Sequence, residues 1–219
     1  MIKRRLCVAA GLEDLFAGEA SSKDRNWRTK APHAYFLTAA EARRRFPDIL
    51  LFSFVREPLS RLASCYRSKI IRPDQLQVSL LREGLTKTTG FPDFVRHVVR
   101  RSDWRSNVHY RSQAHILGDR GRLAPDFIGR VENLEADWTR LSDLTVANGG
   151  AALPPLPARN TKAEVAQMKT GDLFGDDQTL IRIARRRYAS DLSLFYGDTA
   201  LPRYAQMLVT AVIRRRFEV

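Results

Sequence analysis

The chain has 219 residues, enough for one domain with a real core and short for two. An apolar share of 44% with 9% aromatics excludes a disordered polypeptide. Its 37 Lys and Arg against 24 Asp and Glu leave a formal +13, a field that attracts anions: nucleic acid, acidic lipid, nucleotide or acidic glycan.

In chain order, Ile2 to Leu15 reads as a helix, with Leu6, Ala9, Ala10 and Glu13 at helical spacing and Gly18 beyond its end. The polar stretch from Glu19 to Pro32 reads as a loop. Thr38 can cap a short helix through Arg45, because Glu41 stands three positions later as in a capping box. The apolar run Ile49-Leu-Leu-Phe-Ser-Phe-Val55 predicts a central strand covered on both faces. Pro58 then opens a helix whose buried face is Leu59, Leu62, Ala63, Tyr66 and Ile70, with Pro73 as its stop. Another helix is expected from Phe91 to Arg100.

A second short strand, Phe127 to Val131, leads into a helix in which Leu134, Trp138 and Leu141 share a face. Asn148 to Pro157, rich in Gly and Pro, is the most evident long loop. Helix returns from Asp176 to Phe195, with Leu180, Ile183, Ala184, Tyr188 and Leu192 in register, and again from Pro202 to Phe217. Alternating strands and helices predict an α/β layer architecture with a mostly parallel central sheet, in one domain spanning residues 1–219.

The segment most informative about chemistry is Phe52-Ser-Phe-Val-Arg56-Glu-Pro58-Leu-Ser-Arg61-Leu-Ala-Ser64-Cys-Tyr66-Arg67. A buried strand delivers Arg56 to its carboxyl end, the edge at which open α/β sheets bind ligands. A guanidinium offers a fork of donors matched to phosphate. Ser64, in the second turn of the following helix, can point its hydroxyl at the same anion.

This passage resembles the 3′-phosphate-binding segment of sulfotransferases, particularly the carbohydrate group often called family 2, whose pattern is FVR-x-P-x-x-R-L-x-S-x-Y-R. Two later stretches agree in order and spacing. Asp126-Phe-Ile-Gly-Arg130-Val-Glu132-Asn133-Leu-Glu-Ala-Asp137-Trp resembles that group's F-I-G-R-x-E-N-L-x-x-D-[FW] segment, and Tyr188-Ala-Ser-Asp191-Leu-Ser-Leu-Phe195-Tyr196 its Y-x-x-D-x-x-x-F-Y segment.

The resemblance implies a P-loop-like three-layer fold and 3′-phosphoadenosine 5′-phosphosulfate as sulfate donor, with a carbohydrate or related hydroxyl as acceptor and no metal. It assigns the 3′-phosphate to Arg56 and Ser64 and the catalytic base to His33, by its place upstream of the phosphate-binding strand. His109 and Gln113, from Asn107-Val-His109-Tyr-Arg-Ser-Gln113, match an H-x-x-x-Q element between nucleotide and acceptor regions and are expected to line the cleft. Asn160 and Lys162, after the Pro-rich loop, are expected to close over the nucleotide. A backbone-bonded His at a loop end remains the plain alternative for His33, a helix-start role for His109 and Gln113, and a solvated linker for Asn160 and Lys162. His97 reads as packed or solvated.

Relatives of this kind begin with a strand and a P-K-x-[GA]-x-[ST]-[ST] loop that would hold the 5′-phosphosulfate. Met1 stands about where such a loop should end, through a start placed too far downstream or a truncated gene. The chain as given is therefore expected to bind nucleotide weakly and to transfer sulfate slowly.

The two cysteines, Cys7 and Cys65, make no disulfide framework and have no close metal-ligand partners, so a reducing, cytoplasmic setting is the default expectation. No apolar run reaches the length of a membrane span, and the start is too short for a signal peptide. The Tyr204, Met207, Leu208, Ala211, Val212 stripe beside Arg214 to Arg216 leaves peripheral membrane contact open. The rival reading is a non-catalytic basic protein that binds anions or nucleic acid. Its basic clusters are short and scattered among helices, and none sits in a known reader motif, so no nucleic-acid partner is expected.

Overall fold

The computed structural model describes residues 37–119, 121–156 and 171–197. In chain order the elements are α1 (Ala39–Arg45), β1 (Phe52–Val55), α2 (Pro58–Tyr66), a π-helical turn (Arg67–Ile71), α3 (Val78–Arg82), α4 (Phe91–Val99), a 3₁₀ turn (Asp103–Arg105) and α5 (Gln113–Leu117). There follow β2 (Gly118–Asp119), β3 (Arg122–Leu123), β4 (Phe127–Arg130), a second 3₁₀ turn (Val131–Asn133), α6 (Leu134–Ala147), α7 (Gly171–Phe174), α8 (Gln178–Arg187) and α9 (Ala189–Tyr196). The class is α/β: helices accompany a small parallel sheet, β1 beside β4, while β2 and β3 form a separate antiparallel pair. Among the described residues no helix is long and apolar enough to cross a membrane.

The described residues gather into two compact units, one drawn from 1–54 and 125–160, the other from 55–124 and 161–219. In the first, Thr38 caps α1 as its spacing with Glu41 predicts: the Thr38 hydroxyl accepts from the Glu41 amide at 3.1 Å, and the Thr38 amide donates back to the Glu41 carboxylate at 2.8 Å. Asp126 then ties three segments together. Its carboxylate accepts from the Leu51 amide at 2.9 Å and from the Arg43 guanidinium at 2.5 Å. The Phe54 ring packs against Phe52, Phe127 and Trp138, and α6 lies on β4. Buried Asp137 accepts from the Arg130 amide at 2.7 Å, so the Asp of the F-I-G-R…D-W motif closes the chain end of β4.

The second unit holds the larger core, where α2, α4 and α8 pack together. The predicted stripe on α2 is buried throughout, Leu59, Leu62, Ala63, Tyr66 and the π-turn residue Ile70, and it meets Phe91, Phe94, Val95 and Val98 of α4 with Leu180 and Ala184 of α8.

Three elements differ from expectation. The strand predicted over Ile49 to Val55 is confined to Phe52–Val55, because Asp126 and Phe127 occupy the backbone of Leu51 and Ile49 stays exposed. The helix opened by Pro58 does not run as α-helix to its stop; it widens into the π turn, with the Arg72 amide donating to the Arg67 carbonyl five residues back at 2.9 Å. The helix predicted from Asp176 to Phe195 is broken at Tyr188, whose φ of −105° and ψ of 26° leave the helical region. Its hydroxyl donates to the Tyr110 carbonyl at 2.7 Å, and neighbouring Arg187 reaches Asp103 at 2.6 Å; two anchors pulling there turn the chain. The segments Ile2 to Leu15, Glu19 to Pro32 and Pro202 to Phe217 lie outside the described residues.

Candidate anion-binding site

Glu57 starts α2 by accepting from the amides of Leu59 and Ser60, at 3.1 and 2.6 Å, with Pro58 at the first helical position where no donor is needed. A stripe opposite the core then recurs at helical spacing: Arg61, Ser64, Cys65, Ser68 and Lys69. These five residues, with Arg56 from the end of β1 and His109 from the segment before α5, line a hollow of about 180 Å³. The expected pair, Arg56 and Ser64, thus shares one concavity.

Its electrostatics follow from the lining. Arg56 gives its Nε–H to the Ser60 hydroxyl at 3.0 Å, and its two terminal nitrogens have no hydrogen bond among the described residues. Arg61 spans the carbonyls of Arg111 and Val108, at 2.7 and 3.2 Å, which brackets His109 and fixes it at the rim. Lys69 has no ion pair or hydrogen bond among the described residues and stands on the π turn, a backbone feature frequent at functional sites. The end of that turn is held by Lys87, whose ammonium donates to the carbonyls of Ile70, Ile71 and Pro73 at 2.5, 2.7 and 2.6 Å.

Three cations and two serine hydroxyls, with no carboxylate in the lining, make a donor set suited to a phosphate or sulfate dianion. Burial pushes the Cys65 thiol up to about 11, against the pull of Arg61 and Lys69, so it is an uncharged wall at neutral pH.

Behind the hollow, the Gln113 carboxamide meets the backbone of Arg56 in both directions. Its oxygen accepts from the Arg56 amide at 2.9 Å and its nitrogen donates to the Arg56 carbonyl at 2.8 Å. The backbone amides of Gln113 and Ala114 in turn donate to the carboxylate of Asp191 at 2.8 and 2.7 Å. Asp191 is wholly buried; burial raises its pKa, with the two amides and Arg61 opposing. Gln113 is therefore placed behind Arg56, outside the lining of the hollow, whereas His109 is in it. His97 bonds Glu83 at 3.1 Å, and His115 sits edge-on to Trp104 with ring centres 4.5 Å apart. His33, Asn160 and Lys162 lie outside the described residues.

Arg61, Cys65, Ser68 and Lys69 were not singled out by sequence as wall residues. Stepping from Ser64 by three and four would have found the first three; the π turn that brings Lys69 round carries no sequence mark. Among the described residues no group of three or more His, Cys, Asp or Glu is arranged to hold a metal ion.

The sulfotransferase family pattern matches residues 1–197. The chain belongs to the sulfotransferase family. It is 30% identical over 171 residues to carbohydrate sulfotransferase 14 of Homo sapiens, a match covering 73% of this chain and 45% of that protein. The Mus musculus protein of the same name is 29% identical over 171 residues, with the same 73% and 45% coverage. That of Danio rerio is 31% identical over 115 residues, covering 46% of this chain and 31% of the relative. This sulfotransferase-family chain thus spans less than half the length of the curated relatives it matches. No solved structure matches it.

Proposed function

We propose that the chain holds 3′-phosphoadenosine 5′-phosphosulfate by its 3′-phosphate and serves sulfuryl transfer to a hydroxyl of a carbohydrate or related acceptor. The observation that carries this reading is the shared hollow of Arg56 and Ser64, ringed by further cations. Family membership and relatives named as carbohydrate sulfotransferases support it.

In this reading Arg56 offers its two unpaired terminal nitrogens to the 3′-phosphate and Ser64 adds a hydroxyl donor. Arg61 and Lys69 supply further positive charge close by, worth most where water is thinned. The donor, when bound, supplies an activated sulfuryl group, which passes to the acceptor oxygen as its bond to the 5′-phosphate breaks. His33 is proposed to take the acceptor's proton, its usual pKa lying near working pH. Asn160 and Lys162 are proposed to close over the nucleotide. These three roles rest on the family resemblance alone.

The 219 residues contain no P-K-x-[GA]-x-[ST]-[ST] segment, so no residue is assigned to the 5′ side. Since a single lost preorganised donor costs roughly 10²–10³ in rate in other enzymes, slow turnover by these residues is part of the proposal.

The test is retention on immobilised adenosine 3′,5′-bisphosphate at about 0.15 M salt, an ionic strength at which diffuse attraction to a basic protein is largely screened. Arg56→Ala is expected to abolish retention while folding normally. Equal retention of the variant and the unaltered chain would remove Arg56 from the role and the reading with it.

A further inference from the structure

The backbone of Arg56 lies just past the end of β1, where strand pairing has ceased. A chain end in that position would ordinarily leave its amide and carbonyl to water and its ψ free to wander. Here the Gln113 side chain supplies what one more residue of a neighbouring strand would supply: an acceptor for the amide at 2.9 Å and a donor for the carbonyl at 2.8 Å. The carboxamide can do this only if Gln113 itself is fixed. Ser112 fixes one side, its amide donating to Asp103 at 2.8 Å and its hydroxyl accepting from the His115 amide at 3.3 Å. Asp191 fixes the other through the amides of Gln113 and Ala114, from a residue with no exposure to solvent.

A buried carboxylate is costly to keep and needs a compensating role. We infer that Asp191 and Gln113 form a positioning relay that holds the Arg56 backbone, so that its guanidinium is aimed at the 3′-phosphate before ligand arrives.

The relay rests on the proposed nucleotide reading and deepens it. Gln113 becomes a positioning residue for the phosphate grip. The acceptor-cleft role expected for it by resemblance is a distinct one. An Arg side chain held only at its far end would lose rotamer and backbone freedom on binding, and that loss would weaken the ligand. Preorganisation of this kind acts on the 3′-phosphate alone and leaves the rest of the nucleotide untouched.

The experiment is calorimetric titration of the full 219-residue chain with adenosine 3′,5′-bisphosphate and with adenosine 5′-monophosphate. The ratio of the two affinities reads the hold on the 3′-phosphate. Gln113→Met keeps the side-chain volume and removes both bonds to Arg56. It is expected to lower the ratio about tenfold, the lower end of what losing an orienting partner costs at other preorganised sites. Asp191→Asn, which keeps the shape and removes a buried charge, is expected to lower the ratio in the same direction and decides the matter if the Met variant does not fold.

A merely structural role would weaken both ligands together and leave the ratio unchanged; that result overturns the relay. If Arg56→Ala abolishes the preference while both relay variants keep it, the relay alone fails. If the unaltered chain shows no preference for the bisphosphate, the nucleotide reading fails and takes the relay with it.

Discussion

Gly129, the glycine of the F-I-G-R motif, gives the sharpest stability test in the first unit. A Cβ placed there would stand 2.5 and 2.8 Å from Cε1 and Cδ1 of Phe54 and 3.1 Å from Cβ of Asp137. Carbon atoms in contact prefer about 3.5–4.0 Å, so the ring would have to retreat by about 1 Å. It has little room, because Phe52, Phe127 and Trp138 have their ring centres 6.4, 6.3 and 6.3 Å from its own. Overpacking of this sort costs about 1–3 kcal/mol, and the boxed ring puts Gly129→Ala in the upper half. Against that, alanine stiffens the unfolded chain and returns roughly 0.4–1 kcal/mol, since the backbone at 129 is not left-handed. The net expectation is a loss of about 1–2 kcal/mol in urea unfolding. Phe54→Leu in the same chain should relieve the clash, so the double variant should be more stable than the two single costs predict when added. A Gly129→Ala change within about 0.5 kcal/mol, the range of ordinary surface substitutions, would refute the close-approach argument, as would strict additivity with Phe54→Leu.

Two further expectations concern ionisation. Burial alone would raise the Asp103 carboxyl, yet Arg187 and Ser112 outweigh it and hold it below its ordinary value of 3.8. A depressed carboxyl stabilises the fold above its unfolded pKa and loses that contribution as pH falls through the lower folded value. Asp103→Asn should therefore be less stable than the unaltered chain at pH 7, with the difference shrinking below about pH 4; a difference that grows on acidification would contradict this. In a Cys7→Ser background, the Cys65 thiol, raised to about 11 by burial, should resist iodoacetamide at neutral pH in the native protein and react readily once urea unfolds it. Native-state alkylation at the rate of a free thiol would show that the hollow's wall is open.

Much of the site was legible because its physics is local. Arg56 at a strand end, Pro58 at a helix start and Ser64 two turns on are fixed by short-range geometry, and the apolar stripe on α2 follows from the helical period. What could not be read depends on distant partners. The pairing of Gln113 with Arg56 and of Asp191 with Gln113 joins segments far apart in sequence, and the motif residue Asp191 by itself reads equally well as packing. The break at Tyr188 was hidden for the same reason: its cause is Tyr110 and Asp103, while the local pattern favours unbroken helix. The strand before Phe52 was overestimated because an apolar run says nothing of Asp126, a competing acceptor brought in by tertiary structure.

The π turn at Arg67–Ile71 makes the number of residues in this stretch matter as much as their identity. An α-helix advances about 100° per residue, so deleting one position here would let the backbone close into ordinary helix while rotating all that follows by that angle. Ile70, wholly buried, and Lys69, on the hollow, could not then both keep their places. The core would claim the isoleucine, and the lysine would swing off the anion. A one-residue length change in a sulfotransferase of this kind would thus register first as lost ligand affinity in a protein that still folds.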